Sequence, residues 1–217
     1  MVKKIIIIST LVSTLLQAEM KEKGFFIGID GSIGSADVSY ANSGAFASSD
    51  YESNSKISAL ALKFGYHYYF TKVYARINKR VKYTDNTKSY FELKNHVLEL
   101  NVDYIPIFYM SKNKDWSLKG VFGVGCGFNK NSLINYNLWL DTSGNNQDPI
   151  LDKKTQYSME YGYNLGLIAE LDFGLSVEAG YRYRSGILTQ FSDKDAGNEA
   201  TFDLSTKELY VGVNYLF

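Results

Sequence analysis

Leu209-Tyr210-Val211-Gly212-Val213-Asn214-Tyr215-Leu216-Phe217 closes the chain, and its side chains alternate between two kinds. Successive side chains of a β-strand point to opposite sides, so Leu209, Val211, Val213, Tyr215 and Phe217 share one face. Glu208, Tyr210, Gly212, Asn214 and Leu216 share the other. The first face is wholly apolar, and the segment reads as a strand that meets an apolar medium on one side.

The period of two runs upstream as far as Gly24, with no comparable helical stripe. Phe25, Ile27, Ile29 and Ile33 oppose Phe26, Gly28, Asp30 and Ser32 in a first strand. Over residues 58–70, Leu60, Leu62, Phe64, Tyr66, Tyr68 and Phe70 oppose Ala61, Lys63, Gly65 and His67. Segments 73–83, 95–105, 116–128, 157–171 and 175–184 complete a set of eight with the terminal strand. Thr71-Lys72, residues 106–115 and Asp172-Phe173-Gly174 read as tight or moderate turns. Residues 39–55, 84–94, 129–156 and 185–203 read as longer, polar loops. Short turns at one end and long loops at the other predict an all-β, eight-stranded antiparallel up-and-down transmembrane β-barrel. An even strand count then puts both termini on the short-turn, periplasmic side.

The 217 residues carry 23 Lys and Arg against 23 Asp and Glu, which leaves no basic excess for nucleic acid to neutralise. Cys126 is the single cysteine, so an intramolecular disulfide is excluded. Lys3 and Lys4, the apolar run 5–16 and the small residue Ala18 read as a secretory signal peptide over 1–18, cut after Ala18. That run falls short of the ~20 residues of a spanning helix. The remaining 19–217 form one barrel domain, since strands that enter a bilayer have to close on themselves.

The charges decide which face points out. Asp30, Lys63, His67, Arg76, Arg80, Lys82, Glu99, Asp103, Lys119, Glu160, Glu178, Arg182, Arg184 and Glu208 share a face with Gly123, Gly125, Gly162 and Gly180. A soluble ligand-carrying barrel places its apolar face inside. A glycine-rich face of balanced charge reads instead as a narrow lumen. Its expected ion-pair network comprises Lys63, His67, Arg76, Arg80, Glu99, Asp103, Glu178, Arg182 and Arg184. The expected register sets Arg76 opposite Asp103 and Arg80 opposite Glu99. Across a Thr71-Lys72 turn it sets His67 beside Arg76 and Lys63 beside Arg80. Tyr66, Tyr68, Phe70, Trp116, Tyr215 and Phe217 form one aromatic girdle, and Tyr83, Phe128, Tyr157 and Tyr183 the other. Lys79 is discordant: it shares the face of Ile77 and Val81, where a midplane lysine costs ~2–4 kcal/mol unless it snorkels or a bulge intervenes.

The terminal segment Leu209–Phe217 resembles the β-signal of outer-membrane barrels, an alternating strand ending in Phe. Leu175-Ser-Val-Glu-Ala-Gly-Tyr-Arg-Tyr-Arg184 resembles the penultimate strand of the OmpA/OmpX and opacity-protein-like family, and Gly120-Val-Phe-Gly-Val-Gly-Cys-Gly127 is similar to a middle strand of it. The resemblance covers 24–217. It implies a Gram-negative outer membrane, surrounding lipids and lipopolysaccharide, and an assembly machinery that reads Leu209, Val211, Val213, Tyr215 and Phe217. Members of that family include membrane anchors, adhesins and small channels.

Catalytic patterns are weak. His67 and His96 are the only histidines, and neither lies in a His-x-Ser arrangement like that of barrel deacylases. A serine nucleophile needs a base within hydrogen-bond reach. His67 reads as a lumen residue, His96 as interfacial, and Cys126 as a small apolar residue facing lipid. Glu99 and Asp103 are matched by arginines. No zinc spacing or phosphate loop is present, and 141–148 lacks calcium-loop spacing, so no catalytic, cofactor or metal site is expected. Leu133, Ile134, Tyr136 and Trp139 in the longest loop are a candidate contact for an extracellular partner. Three functions remain open: a structural or adhesin-like surface barrel, a narrow porin-like channel, and a lipid-modifying enzyme.

Overall fold

The computed structural model describes residues 23–43, 49–84, 90–137, 155–192 and 199–217. The expected signal peptide lies outside them. The described residues form nine strands: β1 (Lys23–Ser43), β2 (Ser49–Tyr68), β3 (Thr71–Thr84), β4 (Tyr90–Tyr104), β5 (Ile107–Met110), β6 (Trp116–Asn137), β7 (Thr155–Leu171), β8 (Leu175–Ser192) and β9 (Glu199–Leu216). They hydrogen-bond in the order β4-β3-β2-β1-β9-β8-β7-β6-β5, and a further β4–β6 ladder closes the ring. Eight strands therefore make the barrel wall, with no free edge between them. The short β5 stands outside the ring and pairs with β6. It occupies the connection expected over 106–115, held where Gly120 N donates to Pro106 O at 2.8 Å and Ser111 N donates to Trp116 O at 3.0 Å.

Two expectations about the chain path are corrected. The β2–β3 turn is Tyr69-Phe70, not Thr71-Lys72, with Tyr68 paired to Thr71 and Tyr69 at φ 51°. A tight hairpin needs a left-handed residue, which usually selects Gly or Asn. Here a tyrosine takes that conformation, and its ring packs edge-on against Tyr68 with centroids 4.7 Å apart. The polar pair Thr71-Lys72 looked like the turn because composition, not geometry, marked it.

The second correction concerns the loops. Strand extends into each of the segments 39–55, 84–94, 129–156 and 185–203, since β1 runs to Ser43, β2 starts at Ser49, β4 starts at Tyr90, β6 runs to Asn137, β8 runs to Ser192 and β9 starts at Glu199. Crossing a bilayer takes about 9–11 strand residues, whereas these strands hold 14 to 22. Beyond the apolar band, Ser, Asn, Thr and Lys occupy both faces. Alternation fades there even though the backbone ladder continues.

The inside-out pattern holds along the described wall. Phe25 is 70% exposed and Leu209 63%, while their neighbours Phe26 and Tyr210 are 4% and 2% exposed. Tyr68, Phe70, Trp116 and Phe217 ring the short-turn end of this outward band, and Phe128 and Tyr157 lie near the other. The Tyr83 side chain lies outside the described residues. Lys79 points outward, and the β3–β4 register shift between Arg80 and Tyr83 lies just beyond it. At the short-turn end the interior turns apolar, with Phe26, Tyr74 and Leu216 in one buried cluster and Ile105, Val121 and Ile168 in another. Gly174, at φ 89°, turns the chain from β7 into β8, and its carbonyl accepts from Leu216 N at 2.9 Å. That bond ties the turn to the C-terminus.

Candidate functional site

The lumen holds the chemistry. Among the described side chains, inward positions of the strands bring seven buried basic residues, Lys63, Lys72, Arg76, Arg80, Lys119, Arg182 and Arg184, against seven buried acidic ones, Asp30, Glu99, Asp103, Glu160, Glu170, Glu178 and Glu208; the Lys82 side chain lies outside the described residues. Within this described set the formal charges balance. This matters because an unpaired charge in a low-dielectric interior is far costlier than a paired one.

At mid-height, Arg76 reaches two carboxylates. Its Nη2 and Nε donate to the two oxygens of Asp30 at 2.9 and 3.1 Å, and its Nη1 donates to Glu99 Oε1 at 2.6 Å. Arg184 approaches the other oxygen of Glu99 at 3.0 Å and also donates to Asn101 and Asn164 at 2.9 Å. Arg182 lies over the Tyr210 ring, 4.3 Å from its centroid, with Asp30 3.6 Å and Glu208 3.9 Å from its guanidinium. Planar guanidinium forks suit such shared, two-point contacts better than ammonium groups do.

A second tier sits toward the long-strand end. Arg80 donates from Nη1 and Nη2 to the two oxygens of Glu160 at 2.6 and 3.2 Å, and from Nε to Glu208 at 3.0 Å. Ser32 and Thr206 donate to Glu208 as well. Above it, Asn95 Nδ2 donates to Asn129 at 3.0 Å and to Asn131 at 2.6 Å, and Asn131 donates to Ser158 at 2.9 Å. This layer of linked neutral amides covers the charged tier, although the Asn129 Nδ2 has no acceptor.

A third tier lies toward the short turns. Lys63 and Lys72 both approach Glu178 Oε2, at 3.2 and 3.3 Å, and Lys119 pairs with Glu170 at 2.8 Å. The His67 ring Nε2 is 2.8 Å from Tyr69 O. A cleft beside it is lined by Phe26, His67, Lys72, Glu170 and Asn214.

The expected register is displaced. Arg76 stands opposite Glu99, not Asp103, and Arg80 stands opposite Asn95, not Glu99. Lys63 faces Arg76 and His67 faces Lys72, so His67 is not beside Arg76 and Lys63 is not beside Arg80. The β3–β4 error is four residues. A slip of any even number keeps every side chain on its face, so alternation cannot detect it. Misplacing the Tyr69-Phe70 turn carried a like error into β2–β3. Asp103 consequently lacks the expected Arg76 partner: Lys72 stands opposite it, yet its Nζ goes to Glu178, and Asp103 accepts instead from Asn164 at 3.0 Å.

Asp30, Lys72, Lys119, Glu160, Glu170, Glu208 and the asparagines complete the network beyond the nine residues named for it from sequence. Parity already places Asp30, Lys119, Glu160 and Glu208 on the lumen face, and Glu170 shares that parity. Lys72 was hidden by the misplaced turn.

Leu209, Val211 and Val213 on β9 and Phe217 just beyond it point outward, and Tyr215 is half-buried. Leu133, Ile134 and Tyr136 belong to the backbone of β6, but their side chains, and all of Trp139, lie outside the described residues. Cys126 is exposed on the outer face. Among the described residues, no group of three His, Cys, Asp or Glu side chains is arranged to hold a metal ion.

The family model described as "outer membrane protein beta-barrel domain" matches residues 5–217. Among solved structures, the chain is similar to Neisserial surface protein A at 16% identity, covering 91% of this chain and 100% of that one, with a TM-score of 0.55. It is likewise similar to the outer membrane protein OprG from Pseudomonas aeruginosa at 14% identity, covering 92% and 100%, with a TM-score of 0.51. No curated relative matches the chain. At these identities the structural likeness speaks to the fold.

Proposed function

The chain belongs to the outer membrane protein β-barrel domain family, and from that premise we propose that this outer-membrane barrel is closed to solutes and works through the strand ends that rise above the membrane. The observation that carries the closed lumen is the set of four arginines, Arg76, Arg80, Arg182 and Arg184, each without solvent exposure at mid-barrel and bonded to carboxylates or amides from other strands. An eight-stranded barrel is just wide enough for side chains to fill. Opening a path would separate several of these contacts together.

A plug of this kind moves any specific role to the surface. Both termini then lie in the periplasm after cleavage behind Ala18, and the long-strand end faces outward. Leu133, Ile134, Tyr136 and Trp139 lie on or just beyond β6 and are our candidates for an adhesin-like contact. The outward residues from Leu209 to Phe217 are the signal read by the assembly machinery. We assign no catalytic role, because the inward carboxylates other than Asp103 are engaged by guanidinium or ammonium groups, and Asp103 accepts from Asn164. Lipid A from cells with and without the protein should therefore give identical mass spectra.

Osmotic swelling tests the closed lumen. Liposomes carrying the pure protein should swell in small sugars and amino acids no faster than empty ones. Rapid swelling would favour the channel reading.

A further inference from the structure

Outward-facing charges are few on a lipid-facing wall, and here they are segregated. Lys79 on β3 stands directly opposite His96 on β4, and His96 directly opposite Lys130 on β6. All three point outward and are exposed. Lys94, two residues from His96 on the same face, and Lys56 on β2 extend this set toward the long-strand end. Among the side chains of β2, β3, β4 and β6 that the structure describes, no Asp or Glu points outward: Glu99 and Asp103 are buried in the lumen. The outward acids of the wall whose side chains are described, Asp37 on β1 and Asp203 on β9, lie off β3, β4 and β6; Asp37, one outward step from the strand partner of Lys56, is already engaged by Lys207 at 2.7 Å and by Asn54 at 2.7 Å.

Side chains directly opposite on neighbouring strands are close enough to interact, and like charges so placed repel. Lys79 and Lys130, on either side of His96 and with no acid among the described side chains of their strands pointing outward, therefore suit an external anion. The row beneath it defines what kind. Ile77, Leu98 and Phe128 are partners across the same three strands, one outward step toward the short-turn end, and all are exposed and apolar. Ser58 on β2, one outward step above Leu60, the partner of Lys79, and Ser132 on β6, one outward step above Lys130, add hydroxyl groups at the ends of the row, the Ser132 hydroxyl lying 3.4 Å from that of Thr155.

We infer that Lys79, His96 and Lys130, with Lys94 and Lys56 above them, form a binding site on the outer wall for the phosphate-bearing headgroup of lipopolysaccharide. Its acyl chains lie against Ile77, Leu98 and Phe128. The occupant is an amphiphile because the basic row and the apolar row are contiguous on one wall. Its head is a phosphate because the basic row offers only cationic and hydroxyl groups. Lysine suits a phosphate as a mobile point charge on a stem that stays against apolar surface. The inference rests on the proposed orientation, in which this end of the wall meets the outer leaflet.

Native mass spectrometry of the barrel in detergent micelles tests the site itself and does not depend on orientation. Diphosphoryl lipid A and its dephosphorylated form are titrated against the wild-type protein, a Lys79→Gln/Lys130→Gln variant, and a Lys207→Gln variant from the opposite arc. The expected result is at least a tenfold preference for the phosphorylated lipid in wild type and in Lys207→Gln, and loss of that preference in the double variant. Equal binding of the two lipids by wild type, or an undiminished preference in the double variant, would overturn the site. Folding is checked by heat-modifiable migration, and Lys79→Arg/Lys130→Arg should retain the preference. Were the glutamine pair to fail to fold, Lys79→Gln and Lys130→Gln read singly carry the same two outcomes. Labelling of Ser132→Cys on intact cells reads orientation separately, so that failure of the orientation and failure of the site are told apart.

Discussion

Arg76 on β3 grips Asp30 on β1 across the intervening strand β2, with Nη2 and Nε at 2.9 and 3.1 Å from the two carboxylate oxygens. Because the same guanidinium also holds Glu99 on β4, one side chain links three strands through the lumen. Backbone ladders join neighbours around the wall. These contacts join strands across it.

Arg76→Met should therefore be costly. It leaves Asp30 and Glu99 each short of their closest cation in a dry interior, and breaking a buried pair from one side costs about 3–5 kcal/mol. Urea unfolding in lipid vesicles, followed by tryptophan fluorescence, should show a loss of that size. A loss under about 1 kcal/mol would mean that water reaches these groups, as in an open lumen.

Lys119 and Glu170 give the cleaner cycle, because each is the other's ion-pair partner at 2.8 Å near the short-turn end. Lys119→Met and Glu170→Leu should each cost about 1.5–3 kcal/mol. The double variant should fall within about 1 kcal/mol of wild type, since removing both charges removes the desolvation cost with the attraction. Additive losses in the same unfolding assay would refute the coupling.

Glycines on the lumen face set how closely charged tiers pack. A Cβ at Gly123 would collide with the Asp103 carboxylate, whereas a Cβ at Gly31 on the outer wall meets nothing within 4 Å. Gly123→Val should destabilise by about 1–3 kcal/mol through overpacking. Gly31→Ala should stay within about 0.5 kcal/mol of wild type. Refolding yield and urea midpoint distinguish the two.

Asp37 and Lys207 lie beyond the apolar band, and the hydrogen bond from Lys207 chiefly holds the Asp37 carboxyl below its ordinary value of 3.8. A carboxylate lowered on folding adds stability above pH 3.8, and that part is lost as pH falls through the lower folded-state value. Both side chains are substantially exposed, so the effect is small and screened by salt. Comparing wild type with Asp37→Asn from pH 6 down to pH 2 should show curves that converge only at the acid end. Parallel curves throughout would remove Asp37 from the acid limb.

Phe217 and Leu216 separate assembly from folding. Leu216 is buried beside Phe26 and Tyr74, whereas Phe217 points outward, with its backbone N donating to Phe25 O at 2.8 Å. Phe217→Ala should refold in detergent like wild type yet reach the outer membrane in reduced amount. Leu216→Ser should impair both. Equal membrane levels for Phe217→Ala and wild type would argue against a recognition role for the terminal aromatic.

Parity was the legible part of this sequence. Lipid contact imposes apolar residues at every second position, and so Phe25 and Leu209 were assigned outward and Asp30, Arg76 and Glu208 inward from the sequence alone. Register was not legible, because moving Arg76 from Asp103 to Glu99 leaves each side chain on its own face. Turn position failed at Tyr69-Phe70 for a related reason: aromatics of the interfacial band occupy a place where polar turn residues are usual. Strand length failed where lipid contact ends, since nothing there requires Ser, Asn and Lys to alternate with apolar residues. The basic row Lys79-His96-Lys130 was visible in sequence only as one discordant lysine. The β4–β3 and β4–β6 registers had to be known before its neighbours came together.

The closed lumen is tested most directly by single-channel recording of the pure wild-type protein in planar bilayers. A lumen filled by the Arg76, Arg80, Arg182 and Arg184 contacts predicts a flat baseline, with no reproducible conductance steps over long recordings at moderate voltage. Steady, uniform openings from the wild-type protein would contradict it.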